Sequence, residues 1–181
     1  MTNTKKRKSI KWLIANYMSF FETFGMNEQN IRSYYQEWKI EFSDNINDFL
    51  WHIFNTLLNE NAAQSNDVLG FYKRNIEIYL QMLYFRRKIE GKKANEIQNC
   101  LNRNKLELKF ESTDLELNVV VSTTKDCDSC KELEGKEFPI REVIKNDVIP
   151  YENCTREQGC ACVYSFKTLR DKNDVLIRKS K

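Results

Sequence analysis

Five of the six cysteines of this 181-residue chain fall between positions 127 and 162. Cys127-Asp128-Ser129-Cys130 places two sulfurs at the spacing of a zinc knuckle, a turn in which backbone amides point toward both thiolates and offset their charge. Cys154, Cys160 and Cys162 follow about two dozen residues later. Four soft thiolates around one cation suit zinc, and a pair followed by a second group matches the general zinc-ribbon arrangement. The only histidine, His52, lies far away in sequence. The expectation is therefore one structural zinc ion held by four of Cys127, Cys130, Cys154, Cys160 and Cys162. Disulfide pairing and free thiols are the alternatives. Cys160 and Cys162 compete for the last place: in an extended strand both face the same way, and a turn at Gly159 selects one of them. Cys100 is expected to be a buried helix residue, since buried cysteine behaves as a small hydrophobe.

Other chemistry finds few residues to carry it. His52 sits off the Ile46–Phe49–Ile53–Leu57 face and is expected to be solvated or half-buried rather than a general base. The five glycines are isolated, so no phosphate-cradling loop is present. An all-cysteine shell is closed, whereas a hydrolytic zinc site needs an open coordination place and a nearby acid or base. Glu107-Leu108-Lys109, on an expected strand, matches the E-x-K half of a metal-dependent nuclease, but no aspartate between Asp67 and Glu107 supplies the preceding ligand. Catalysis is the weaker class, with no catalytic residue assigned. Two basic patches remain. Lys5, Lys6, Arg7 and Lys8, with Lys11, form one; Arg86, Arg87, Lys88, Lys92 and Lys93 form the other. Cations at a helix end complement its dipole, and clustered ones also release counterions from a nucleic-acid backbone. No base-reading motif accompanies either patch.

The elements that position these residues follow from apolar spacing. Ile10, Leu13, Ile14, Tyr17, Phe20, Phe21 and Phe24 recur at helical intervals, with Ser9 as N-cap and Gly25 as terminator. A second helix is expected over 28–42. A third, capped by Ser43 or Asp44, turns Phe49, Leu50, Ile53 and Phe54 inward. A fourth carries Leu69, Tyr72, Ile76, Tyr79, Leu80 and Leu83 and runs on to Gly91. The aromatic stripe along them reads as core packing. A short fifth helix is expected over 94–101. Leu106, Leu108 and Phe110 alternate with charges and predict a strand, paired across a polar turn with a second strand over 115–121. A short helix over 140–145 and a strand over 162–169 complete the pattern.

Composition sets the outer limits. With 41% apolar residues and 12% aromatics the chain can bury a core, which excludes disorder throughout. A formal charge of +3 excludes a histone-like coat over the whole surface. No apolar run is long enough to span a membrane. The basic start before Ile10 superficially resembles a secretion signal, but Lys11, Asn16 and Glu22 interrupt the apolar run and no small-residue cleavage site follows. A reducing, cytoplasmic setting is expected, in which clustered cysteines bind metal more often than they form disulfides.

Cys127-x-x-Cys130, Leu133, Gly135, Phe138, Pro150, Cys154 and Cys160-Ala161-Cys162 together resemble the carboxy-terminal motif of phage minor head proteins of the Mu F type. In that family a C-x-x-C, a glycine and an aromatic residue lead to a proline, a histidine and a closing C-x-C. Here Cys154 stands where the histidine usually does, and extra residues separate it from Cys160. The resemblance covers about residues 126–164. It implies a small zinc-binding module on a helical phage, prophage or bacterial protein, with a head- or portal-associated role in the virion.

The expected fold class is α+β, an N-terminal helical bundle followed by a small β-rich, zinc-ribbon-like module. The expected divisions are a disordered basic tail (1–8), a helical domain (9–102), a four-cysteine module (103–170) and a charged tail (171–181). The function expected is non-enzymatic binding or assembly with a protein partner. A cytoplasmic zinc-ribbon regulator that binds nucleic acid through the basic patches is the alternative. No membrane or small-molecule substrate is expected.

Overall fold

The computed structural model of the chain describes residues 8–124 and 127–179. It is an α+β protein whose chain divides between Glu60 and Asn61 into two compact units.

The first unit is helical: α1 (Ile10–Thr23), α2 (Glu28–Glu41) and most of α3 (Ile46–Gln64). The Ser9 side chain caps α1 by accepting from the Trp12 amide, and Gly25 ends the turn at φ +76°. Asn27 and Asn30 cap each other reciprocally at the start of α2. The cap of α3 is Asn45 rather than Ser43 or Asp44. Its carbonyl accepts from the Phe49 amide at 3.1 Å, and its side chain accepts from the Asn47 amide at 3.0 Å. Leu13, Tyr17, Phe21, Ile31, Phe49, Leu50, Ile53 and Phe54 form the core, with Tyr17 edge-on to Phe54 at 6.2 Å. The aromatic stripe is core packing here.

The second unit begins with the last turn of α3 and continues through α4 (Val68–Tyr84), capped by the Asp67 carboxylate, which accepts from the Leu69 and Gly70 amides. A π-helical turn, Phe85–Ile89, extends α4, and α5 (Asn95–Glu111) returns antiparallel along it. Asn61, Asn75 and Asn104 join the last turn of α3, α4 and α5 through a chain of side-chain amides. Asn61 donates to the Asn75 oxygen at 2.8 Å, and Asn75 to the Asn104 oxygen at 3.0 Å. Beyond α5 come β1 (Leu117–Ser122), α6 (Asp128–Lys131), β2 (Glu137–Pro139), α7 (Ile140–Lys145) and β3 (Val163–Thr168). The three strands form one antiparallel sheet in the order β2-β1-β3, with Val119 opposite both Phe138 and Phe166. Leu117, Val119 and Val121 of the central strand point to one buried face. There Leu117 and Val119 meet Leu106, Ile140 and Val143, while Val121 packs among the cysteines.

Two expectations are corrected. Leu106, Leu108 and Phe110 lie on α5, not on a strand, so β1 pairs with β2 and β3 and the boundary expected at 102/103 falls inside a helix. Leucine, lysine and glutamate are strong helix formers, and Leu106 and Phe110 are also one helical turn apart, so a short alternation is satisfied by either structure. Cys100 is exposed on α5 rather than buried. It sits on the side of the helix opposite buried Gln98, Leu101 and Asn102, where its sulfur meets the Tyr79 hydroxyl.

The described part of the segment expected as a charged tail, residues 171–179, folds back. Arg170 bridges Leu176, Arg178 bridges Leu115, and the Ile177 carbonyl accepts from the Glu116 amide at 2.9 Å. Among the described residues, no helix is long and apolar enough to cross a membrane.

Candidate metal centre

Three segments of the second unit deliver the sulfurs. The chain leaves β1 and enters the one-turn helix α6, of which Cys127 is the N-cap and Cys130 an interior residue. The Cys130 and Lys131 amides close that turn on the Cys127 carbonyl at 3.2 and 3.3 Å, which brings both sulfurs of the C-x-x-C to one side. The turn that follows reverses at Gly135, φ +71°, and feeds β2. After α7 and the cis Ile149–Pro150 peptide, a turn closed by the Cys154 amide on the Tyr151 carbonyl at 3.0 Å presents Cys154. A second turn, closed by the Gly159 amide on the Arg156 carbonyl at 3.1 Å, presents Cys160. Cys162 follows at the entrance to β3.

All five of these cysteines are buried and none is in a disulfide. Their sulfurs form two overlapping groups, Cys127–Cys130–Cys154 and Cys130–Cys160–Cys162, within each of which every pair lies inside 4.8 Å. Cys130 belongs to both. A zinc ion bound at about 2.3 Å by four sulfurs needs them about 3.8 Å apart, which the 4.8 Å limit within each group accommodates. Apolar walls made by Val121, Leu133 and Ile149, with Phe138, Val148, Tyr151 and Tyr164 behind them, exclude water. The cluster can hold a metal ion. Comparison with known protein families, curated proteins and solved structures finds no match to this chain.

Polar donors are aimed at these sulfurs. The Thr155 amide and hydroxyl, the latter at 3.6 Å, together with the Cys130 amide hold the Cys127 thiol down at about 6, below its ordinary value. At Cys160 burial pushes the other way, but the Cys162 and Tyr151 amides outweigh it and the thiol is lowered. Cys130, in the middle, is raised by burial and by the surrounding thiols. Burial and the neighbouring Cys160 push Cys162 up to about 11. Amides thus favour the thiolate at Cys127 and Cys160, while burial chiefly, and the neighbouring sulfurs next, disfavour it at Cys130 and Cys162.

Helices α4 and α5 fix the loop that carries the closing C-x-C. From the π-helical turn, Arg87 Nε donates to the Gln158 carbonyl at 3.0 Å and Nη2 to the Cys160 carbonyl at 2.6 Å. Asn95, first residue of α5, accepts from the Cys160 amide at 3.1 Å. Asn102 donates to the Ile149 carbonyl at 3.3 Å. The Tyr164 hydroxyl accepts from the Val148 and Ile149 amides at 3.2 and 3.0 Å. Arg156 Nη1 reaches Thr124 Oγ1 at 3.0 Å. Gly159 makes the close approach feasible. It stands at φ +88°, and a Cβ there would overlap the Asn95 side-chain oxygen.

The remaining candidate residues are dispersed. His52 is half-buried and bonded to the Tyr34 hydroxyl, beside Trp38 and Phe42. Lys8 reaches Asn47 and lies over the Trp12 ring, while Lys5, Lys6 and Arg7 fall outside the described residues. The second basic patch is split: Arg86 pairs with Glu90 at 2.8 Å, Arg87 turns toward the cysteine loop, and Lys88, Lys92 and Lys93 are exposed. Glu107 and Lys109 lie on α5, so the strand on which the nuclease reading depended is absent. Sequence reasoning overlooked Asn95, Thr155, Tyr164 and the inward role of Arg87. Only Thr155 carried a local signal, as the hydroxyl next to Cys154.

Proposed function

We propose that this is a non-enzymatic binding or assembly protein whose second unit is locked by one structural zinc ion. The observation that carries the reading is the gathering of five buried sulfurs from three segments into two groups that share Cys130, with amides and a hydroxyl aimed at them. Cys127, Cys130 and Cys154 supply three thiolates. Cys160 is the favoured fourth, because its peptide is gripped on both sides by Arg87 and Asn95 and two amides face its sulfur. Cys162 then remains as a buried thiol. When bound, zinc would neutralise sulfurs that otherwise repel and tie the C-x-x-C turn to the loop before β3. Four thiolates close the shell, which suits a staple and leaves no coordination place for a substrate.

The assembly role, with a protein partner in a phage head or portal, rests on the likeness of the Cys127–Cys162 segment to the Mu F-type motif. Portal and capsid genes beside this one would support it; a lone regulatory operon would favour the nucleic-acid alternative. The zinc reading is tested by elemental analysis of the purified full chain, with thiol counting by mass spectrometry. About one zinc per chain and no disulfide is expected. No metal, with disulfides among these cysteines, would refute it.

A further inference from the structure

We propose that Arg87 is the positioning residue and counter-cation of the sulfur centre, binding the Cys160 loop while balancing the charge of the metal–thiolate group. This rests on the zinc reading above.

Four thiolates and one divalent ion sum to a net charge of −2, which is costly inside a protein unless fixed positive charge or oriented dipoles face it. Amides supply part of that field. Among cations at the end of α4, Arg86 is engaged by Glu90 and Lys88 points to solvent, so Arg87 is the one directed inward. The π-helical turn carries it, with the Glu90 amide closing on the Phe85 carbonyl at 3.0 Å, an insertion that re-aims side chains relative to a regular α-helix. Arg87 is half-buried, and its hydrogen bonds go to two carbonyls of the cysteine loop, with no carboxylate pairing it among the described residues. Its electrostatic neighbours are Arg156, Cys160 and Cys154. A guanidinium is the group this place calls for: its planar fork spans the Gln158 and Cys160 carbonyls together, and it stays charged when partly buried.

The test is chelator competition for zinc, with cobalt substitution as a spectroscopic check on thiolate coordination, in the full-length protein. Arg87→Gln should weaken zinc binding 10–100-fold, the range for loss of a group that supports metal ligands. Arg87→Lys, which keeps the charge without the fork, should recover part of that loss. Arg86→Gln should stay within about two-fold, since its partner is Glu90.

Asn95→Asp separates charge from folding. It keeps the oxygen that accepts from the Cys160 amide, and it places an acidic group in the first turn of α5, where the helix dipole favours it. A purely structural site would tolerate it; a charge-balanced one should bind zinc more weakly while α5 is no less stable. Arg87→Gln binding within two-fold of the parent, or Arg86→Gln losing as much, would overturn the assignment and leave the zinc reading standing. A parent protein that takes up neither zinc nor cobalt would overturn both.

Discussion

Gly159 offers the sharpest stability test of how the cysteine loop meets the helices. Its φ of +88° costs an L-residue about 1–2 kcal/mol. Alanine would add a second term: the new Cβ overlaps the Asn95 side-chain oxygen and comes within 3.4 Å of its Cγ and 3.5 Å of the Ala94 nitrogen. Asn95 must then move, and the Cys160 amide loses its acceptor at 3.1 Å, worth about 1–3 kcal/mol for a buried donor left unmade. Gly159→Ala should therefore cost about 2–5 kcal/mol. Gly135→Ala is the matched control, with φ +71° and nothing within 4 Å of its Cβ, so it should show the backbone cost alone. Both changes stiffen the unfolded chain equally, so the difference between them isolates the clash. Trp12, Trp38 and Trp51 all lie in the first unit, which makes tryptophan fluorescence blind to the event. Hydrogen exchange of α5 and β1 amides reads the right unit. Equal loss of protection in the two variants would refute the close packing of Gly159 on Asn95.

Three further outcomes are expected. Stripping zinc with a chelator should remove exchange protection from α4 through β3 while α1 and α2 keep theirs; equal loss in both units would refute a staple confined to the second. The Tyr164 phenol, pushed up to about 12 mainly by burial, should make the second unit less stable as pH rises from about 10 to 12, because the unfolded chain ionises first. After allowance for solvent screening of a half-buried ring this amounts to about 1–2 kcal/mol, and Tyr164→Phe should reduce the alkaline slope by that amount in a urea titration followed by exchange. Asn75→Ala should cost about 2–4 kcal/mol, since it leaves donors or acceptors of Asn61 and Asn104 unmade, and a loss below 1 kcal/mol would show that water replaces it.

The parts legible in the sequence were those with local, repeated signals. Helices α1 to α4 have several apolar residues at helical spacing and polar caps at their starts, so many weak preferences agree. The cysteine cluster was legible for a similar reason: residue type and spacing together restrict what the sulfurs can do. Where the signal was three alternating residues, at Leu106, Leu108 and Phe110, the helical preference of the intervening Glu107 and Lys109 prevailed. The clamps were illegible in a different sense. Arg87 and Asn95 reach partners 65 to 73 residues away, and no local pattern distinguishes Arg87 from Arg86 or Lys88. Only the π-helical turn decides which of the three faces inward, and a one-residue change in helical winding leaves no compositional trace.

The 73-position separation of Arg87 and Cys160 also imposes a timetable on the newborn chain. At about 5–20 residues per second of synthesis, the α4–α5 hairpin waits roughly 4–15 s for the loop it receives. For about a third of that interval, between the synthesis of Cys130 and of Cys154, Cys127 and Cys130 are made but lack their later partners, and for nearly all of it the Arg87 fork has no carbonyls to hold. The sulfur cluster is thus among the last features of the second unit to be completed. A ribosome that stalls between Cys130 and Cys154 would leave two of its thiols open to oxidation or to a foreign metal, with the receiving helices already in place.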